Sequence, residues 1–114
     1  MELLSVTRIE WLQAGRLIVT PLSNPSKMLR FIYRAAMGVG WEDDSSRLVC
    51  DSNDKGEAFA RISRALAEEM GLIMQITPQT EWINISEESQ LAFADAIIAQ
   101  QAAQETTRLK GRTS

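Results

Sequence analysis

The chain has 114 residues and a net charge of −3, from 15 acidic and 12 basic side chains, with 45% apolar and 24% charged residues. That is the size and balance of one globular domain, able to bury about two-thirds of the surface its unfolded chain exposes. There is no histidine and one cysteine, which excludes Ser-His-Asp and Cys-His catalysis, Cys/His zinc sites and a disulfide scaffold.

The opening Met1-Glu2-Leu3-Leu4-Ser5 lacks the basic start and long apolar run of a signal peptide. No apolar run approaches the ~18 residues of a membrane span. A cytosolic protein without a membrane segment is the expectation.

Residues 6–12 alternate loosely, Val6, Arg8, Glu10 and Leu12 against Thr7, Ile9 and Trp11. Gln13-Ala14-Gly15 then leads into the β-rich Leu17-Ile18-Val19-Thr20, which predicts a hairpin. Pro21 and Pro25 break the pattern. Residues 26–37 read as a helix capped by Ser26, with Met28, Leu29, Ile32, Tyr33 and Ala36 at helical spacing and Gly38 and Gly40 at its end.

Trp41 opens a short segment, residues 42–46 form a turn, and Arg47-Leu48-Val49-Cys50 reads as a strand. A polar residue of the turn at 51–54 caps the helix over 55–70, whose stripe is Phe59, Ile62, Leu66 and Met70, and which Gly71 ends. Residues 72–77 and 80–85 read as strands, with Pro78-Gln79 at the corner of a second hairpin. Ser86 caps a last helix with Glu87 and Glu88 in its first turn, favoured by the macrodipole. That helix has two apolar stripes: Leu91, Ala94, Ile98 and Ala102, and, offset from it, Phe93 and Ile97. Apolar residues on more than one face imply a second partner, internal or external.

The expected order is β-β-α-β-α-β-β-α, with a further strand possible at Trp41. Local hairpins make the sheet mainly antiparallel and helices cover one face, a two-layer α+β fold. The middle, residues 17–76, reads as a split, ferredoxin-like β-α-β-β-α-β. One domain over 1–105 and a polar, frayed tail over 106–114 complete the expectation.

Charge is unevenly placed. Residues 42–57 hold Glu42, Asp43, Asp44, Asp51, Asp54 and Glu57 against Arg47 and Lys55, a local net of −4. Asp51-Ser52-Asn53-Asp54-Lys55-Gly56 opens like a calcium loop, but Lys55 and Ile62 stand where ligands are required, so a capping turn is expected and no metal. A magnesium site at Asp43, Asp44 and Asp51 is less common than solvated turn carboxylates. Cys50 lies in an apolar strand, as a core residue would. The one close glycine pair, Gly38 and Gly40, follows a helix, the wrong polarity for phosphate. No cofactor and no catalytic residue is assigned.

The segment Ile83-Asn84-Ile85-Ser86-Glu87-Glu88, with Phe93-Ala94-Asp95-Ala96-Ile97 and Leu109-Lys110, resembles the toxin-binding tail of some ribbon-helix-helix antitoxins. The resemblance covers about the last quarter of the chain. Those antitoxins begin with a basic DNA-binding strand and two helices, whereas this chain begins with a hairpin, and no family is assigned.

The expected function is therefore a non-enzymatic interaction module that binds protein or homodimerises. Asp43, Asp44, Phe93 and Ile97 are the expected partner contacts, with an inhibitor-like or immunity-like use of the acidic stretch. The alternative is a small-molecule binder for an apolar or cationic ligand, with Met28, Met74, Trp41 and Trp82 lining one pocket and carboxylates as its bases if it is an enzyme. Nucleic-acid binding runs against the acidic balance. It would require Arg30, Arg34, Arg61 and Arg64 on one face.

Overall fold

The computed structural model describes residues 2–22 and 29–112, with side chains through residue 103. Among the described residues the strands are β1 (Glu2–Leu12), β2 (Arg16–Pro21), β3 (Val39–Glu42), β4 (Arg47–Asp51) and β5 (Leu72–Ile83), in the spatial order β3-β4-β2-β1-β5. A 3-10 helix spans Leu29–Ala35. Helix α1 spans Lys55–Ala65 and runs on as a π turn over Leu66–Met70, and α2 spans Glu87–Arg112. Three of the four strand pairings are antiparallel; β1 with β5 is parallel.

The fold is a two-layer α+β domain. Leu17, Val19, Leu48 and Cys50 point from the sheet into one cluster with Leu29, Ile32, Phe59, Ile62, Leu66 and Phe93 from the helices. Alternation sends the neighbouring residues Arg16, Glu42, Arg47 and Asp51 to the opposite face. The middle has the split arrangement: β2 and β3 flank β4 antiparallel, and β5 lies on the β2 side. The added strand β1 wedges between β5 and β2, and this insertion creates the one parallel pair.

Two irregularities reset the register. Val6 pairs with Pro21 but Arg8 with Thr20, so Thr7 is one residue extra on β1, and its hydroxyl donates to the Thr20 carbonyl at 3.0 Å. Such a bulge flips the faces that follow it. Val6 therefore shares the core face with Ile9 and Trp11, which corrects the simple alternation read over 6–12.

The second irregularity replaces the expected hairpin at Pro78-Gln79. Residues 72–83 form one strand, parallel to β1 on both sides of the interruption: Val6 pairs with Ile76 and Arg8 with Glu81. The intervening residues bulge out, with Pro78 and Gln79 exposed. Thr80 is buried and clasps the bulge: its hydroxyl donates to the Val6 carbonyl at 2.7 Å and accepts from the Thr77 N–H at 3.0 Å. A turn proline and a bulge proline look alike in sequence. What decides is the parallel partner, 70 residues away in the chain.

The expected helix over 26–37 is a 3-10 helix over its described part. Residues three apart eclipse in that geometry, so only Leu29 and Ile32 are buried while Tyr33 is 60% exposed. Ser26 lies outside the described residues. In α1 the Asp54 carboxylate caps the first turn by accepting from the Gly56 N–H at 2.9 Å. Gly71 ends the π turn at φ 66, a left-handed cap that glycine adopts without a Cβ penalty. The Ser86 hydroxyl accepts from the Ser89 N–H at 3.2 Å, capping α2 as expected.

Replacing Thr80 by valine keeps its volume and removes the hydrogen bonds to the buried Val6 carbonyl and from the half-buried Thr77 N–H. Urea unfolding should show stability lower by about 1–3 kcal/mol, with the far-UV spectrum unchanged. Loss of a few tenths or less would mean that the clasp does not hold the bulge.

Candidate functional site

Three surfaces carry unspent chemistry. The first is built on α2. This 26-residue helix is about 39 Å long at 1.5 Å per residue, yet of its described side chains only Phe93 and Ile97 are buried. Phe93 stacks on Phe59 of α1, with ring centroids 4.2 Å apart and planes 2° from parallel, and meets Trp82 of β5 at 6.1 Å. One turn on along α1 and two along α2, the Ser63 hydroxyl donates to the Gln100 side-chain oxygen at 3.1 Å. These contacts fix the rotation of α2. They turn Leu91 and Ile98, seven residues apart, to the outside at 67% and 62% exposure.

Between α1 and α2 lies an apolar groove of about 450 Å³, lined by Phe59, Ala60, Ala92, Phe93, Ala96 and Ala99 among others. The expectation that Phe93 and Ile97 meet a partner is therefore corrected. They are the inward stripe, Phe93 held by Phe59 and Trp82, and the outward stripe is Leu91 and Ile98.

The second surface is an open polar cleft of about 820 Å³ where the β1–β2 turn meets the loop before α1. Gly15 sits there at φ 94; a Cβ on it would lie 2.9 Å from the Ser52 carbonyl oxygen, and its own carbonyl accepts from the Ser52 N–H. Arg16 binds Asp51 with two N–H groups, at 2.6 and 3.2 Å, and lies 3.5 Å from Glu42, which also accepts from Arg47 at 2.6 Å. Arg47 and Arg16 hold the Glu42 carboxyl below its ordinary range, and Arg16 does the same for Asp51. Arg61 pairs with Glu57 one turn away.

The acidic stretch is thereby largely neutralised by the fold. Asp54 is spent as a cap, and Glu42, Asp51 and Glu57 are paired. Asp43 and Asp44 remain exposed in the β3–β4 turn, Asp43 accepting from the Trp41 indole at 3.2 Å. Asp51 is at the other end of β4 from that turn. Cys50 is 1% exposed, and burial pushes its thiol up, as expected for a core cysteine.

The third surface is on the 3-10 helix. The guanidiniums of Arg30 and Arg34 both lie over the Phe31 ring, 4.9 and 4.5 Å from its centroid. Arg61 and Arg64 flank a separate cleft with Ala36, Met37 and Gly38, and each is paired, with Glu57 and Glu68.

The pocket expected from Met28, Met74, Trp41 and Trp82 is not assembled. Trp41 and Trp82 are on β3 and β5, the two edges of the sheet, roughly 19 Å apart at ordinary strand spacing. Both are only partly buried, against the core cluster, and Met74 is fully buried within it. Met28 lies outside the described residues. Leu91, Ile98 and the Arg30–Phe31–Arg34 cluster were the residues missed. The signal for the first pair was the double stripe on α2; which stripe turns outward is decided by Phe59, far away in sequence.

No known family profile matches the chain, and no curated protein matches it. A solved structure similar to it is the integron cassette protein Hfx_Cass5, from the mobile metagenome of the North West Arm sewage outfall. It is 28% identical over 86% of this chain and 98% of its own, with a TM-score of 0.38. A superposition that loose carries no transfer of role. Among the described residues no helix is long and apolar enough to cross a membrane.

The ion pairs give a pH signature. A carboxyl with a depressed folded pKa contributes stability that is present above its unfolded pKa, near 4, and is lost as pH falls through the folded value. Acid titration followed by carboxyl NMR should show Asp51 and Glu42 titrating below ordinary carboxylates. In Arg16→Ala, Asp51 should return to the ordinary range while Glu42, held first by Arg47, moves less. Equal movement of both would contradict Arg47 as the main partner of Glu42.

Proposed function

We propose that the chain is a non-enzymatic interaction module that works by protein contact, and that its partner at α2 is a second copy of itself. The observation that carries this reading is the pair Leu91 and Ile98, two large aliphatic side chains turned outward on a helix anchored from behind. Burying such a side chain contributes about 1.5–3 kcal/mol. A two-fold axis doubles every contact, so four side chains and the alanines around them offset much of the ~4–15 kcal/mol cost of association. That balance favours a concentration-dependent dimer.

Charge favours a copy in antiparallel orientation. Glu87 and Glu88 stand at the start of α2, and the sequence places Arg108, Lys110 and Arg112 at its end. Antiparallel pairing centred between Leu91 and Ile98 sets Glu87 and Glu88 beside the uncharged Ala102 and Gln101 of the copy, whereas parallel pairing sets acid against acid. A second reading, an inhibitor-like contact with a basic protein, is supported by Asp43 and Asp44, exposed acids with no described cation on them.

Light scattering after size exclusion should show mass rising toward the dimer as concentration increases, and Leu91→Glu with Ile98→Glu should abolish that rise without lowering helix content. A wild-type chain that stays monomeric at ~100 μM, or a double variant that still dimerises, would contradict the reading.

A further inference from the structure

Among the described arginines, Arg8, Arg16, Arg47, Arg61 and Arg64 each pair with a carboxylate. Arg30 and Arg34 have no described carboxylate partner, and they share one phenyl ring. The preceding segment, residues 23–28, contains no acidic residue, so it holds no carboxylate that would neutralise them.

Phe31 is half-buried, which fixes the ring, while both arginines are exposed. A guanidinium stacked on a ring gives up its face and keeps its N–H edge, the edge that takes a carboxylate with two hydrogen bonds. The two charges lie under about 10 Å from each other, given their distances to the shared centroid, within about one Debye length. Their mutual repulsion is relieved by an anion placed between them. Beside them Tyr33 is 60% exposed, its ring 6.5 Å from Phe31 and tilted by 52°. Arginine and tyrosine on one small exposed patch are the residue types that anchor protein interfaces.

We propose that Arg30, Phe31 and Arg34, with Tyr33 beside them, form a recognition site for a short acidic segment of a protein partner. Each guanidinium takes a carboxylate, and an apolar side chain of the segment lies against the Tyr33 ring. A nucleic-acid strand fits less well. Two unneutralised cations release few counterions, and a longer polyanion would run on over a chain whose net charge is −3. The site is on a different element from the outward stripe of α2, so it does not rest on dimerisation.

The test is fluorescence anisotropy at low salt with a labelled peptide of four glutamates around one leucine, beside a labelled single-stranded oligonucleotide. The wild-type chain should bind the peptide, with affinity falling as salt rises. Arg30→Ala with Arg34→Ala should weaken it at least about tenfold, and the two lysine replacements should lose part of that, since they keep the charge without the fork. Arg8→Ala, and the α2 variant Leu91→Glu with Ile98→Glu, should bind as wild type, which separates this site from the dimer surface. Circular dichroism checks that each variant is folded. Absence of peptide binding to the wild type, or equal binding by the double alanine variant, would overturn the proposal. So would preferential binding of the oligonucleotide lost in that same variant, which would give the site to nucleic acid.

Discussion

The stack of Phe93 on Phe59 sets what this molecule shows to its surroundings. The helix that carries Phe93 is long, and Ile97 is the one other described residue it buries. Two parallel rings at 4.2 Å therefore supply much of the attachment and, through their angle, the rotation of the helix about its axis. Truncating such an aromatic typically costs about 3–5 kcal/mol, and here it would also free the helix to turn. Everything outward, Leu91 and Ile98 in particular, is exposed because Phe93 and Ile97 are not.

The sheet beneath is arranged to give that stack a rigid base. Inserting β1 between β5 and β2 makes β1 an interior strand and pushes β5 to the edge, under α2. The long-range parallel pair costs chain entropy to close and is repaid by Leu4, Val6 and Ile9 entering the common core with Leu72 and Met74. The bulges at Thr7 and at 77–80 keep those residues facing inward along both strands. The other face of the sheet carries the ion pairs of Arg16, Glu42, Arg47 and Asp51 around the buried Ile18, and with Arg61 on α1 these arginines cancel most of an acidic stretch that looks like an isolated anionic patch in the sequence.

Much of the secondary structure was legible from local chemistry. The caps at Asp54 and Ser86, the left-handed glycine at 71, the turn at Gly15 and the apolar stripe of α1 each depend on neighbours a few residues away. The two-layer class and the split middle followed from them. What was not legible depended on distant partners. The bulge at Thr7 inverts a face without any composition signal. Pro78 sits in a bulge instead of a turn because its strand pairs with β1. The inward stripe of α2 reads as a contact stripe in the sequence because the residue that claims it, Phe59, belongs to another helix. Trp41 and Trp82, equivalent by composition, ended at opposite sheet edges. The Arg30–Phe31–Arg34 cluster could be seen only once every other described arginine had found its acid.

The central claim is that α2, anchored from behind, offers its outward face to a second copy in antiparallel orientation. A spin label at Ala102, exposed and near the middle of α2, reads this directly in a Cys50→Ala background. Packed helices lie about 8–10 Å apart, and antiparallel pairing centred between Leu91 and Ile98 offsets the two labels by about 22 Å along the axis, so pulsed dipolar spectroscopy should return an inter-protomer distance of about 20–30 Å. A sample at high concentration with no inter-protomer coupling, with a distance under about 15 Å as parallel pairing gives, or with one beyond about 40 Å, would contradict the account.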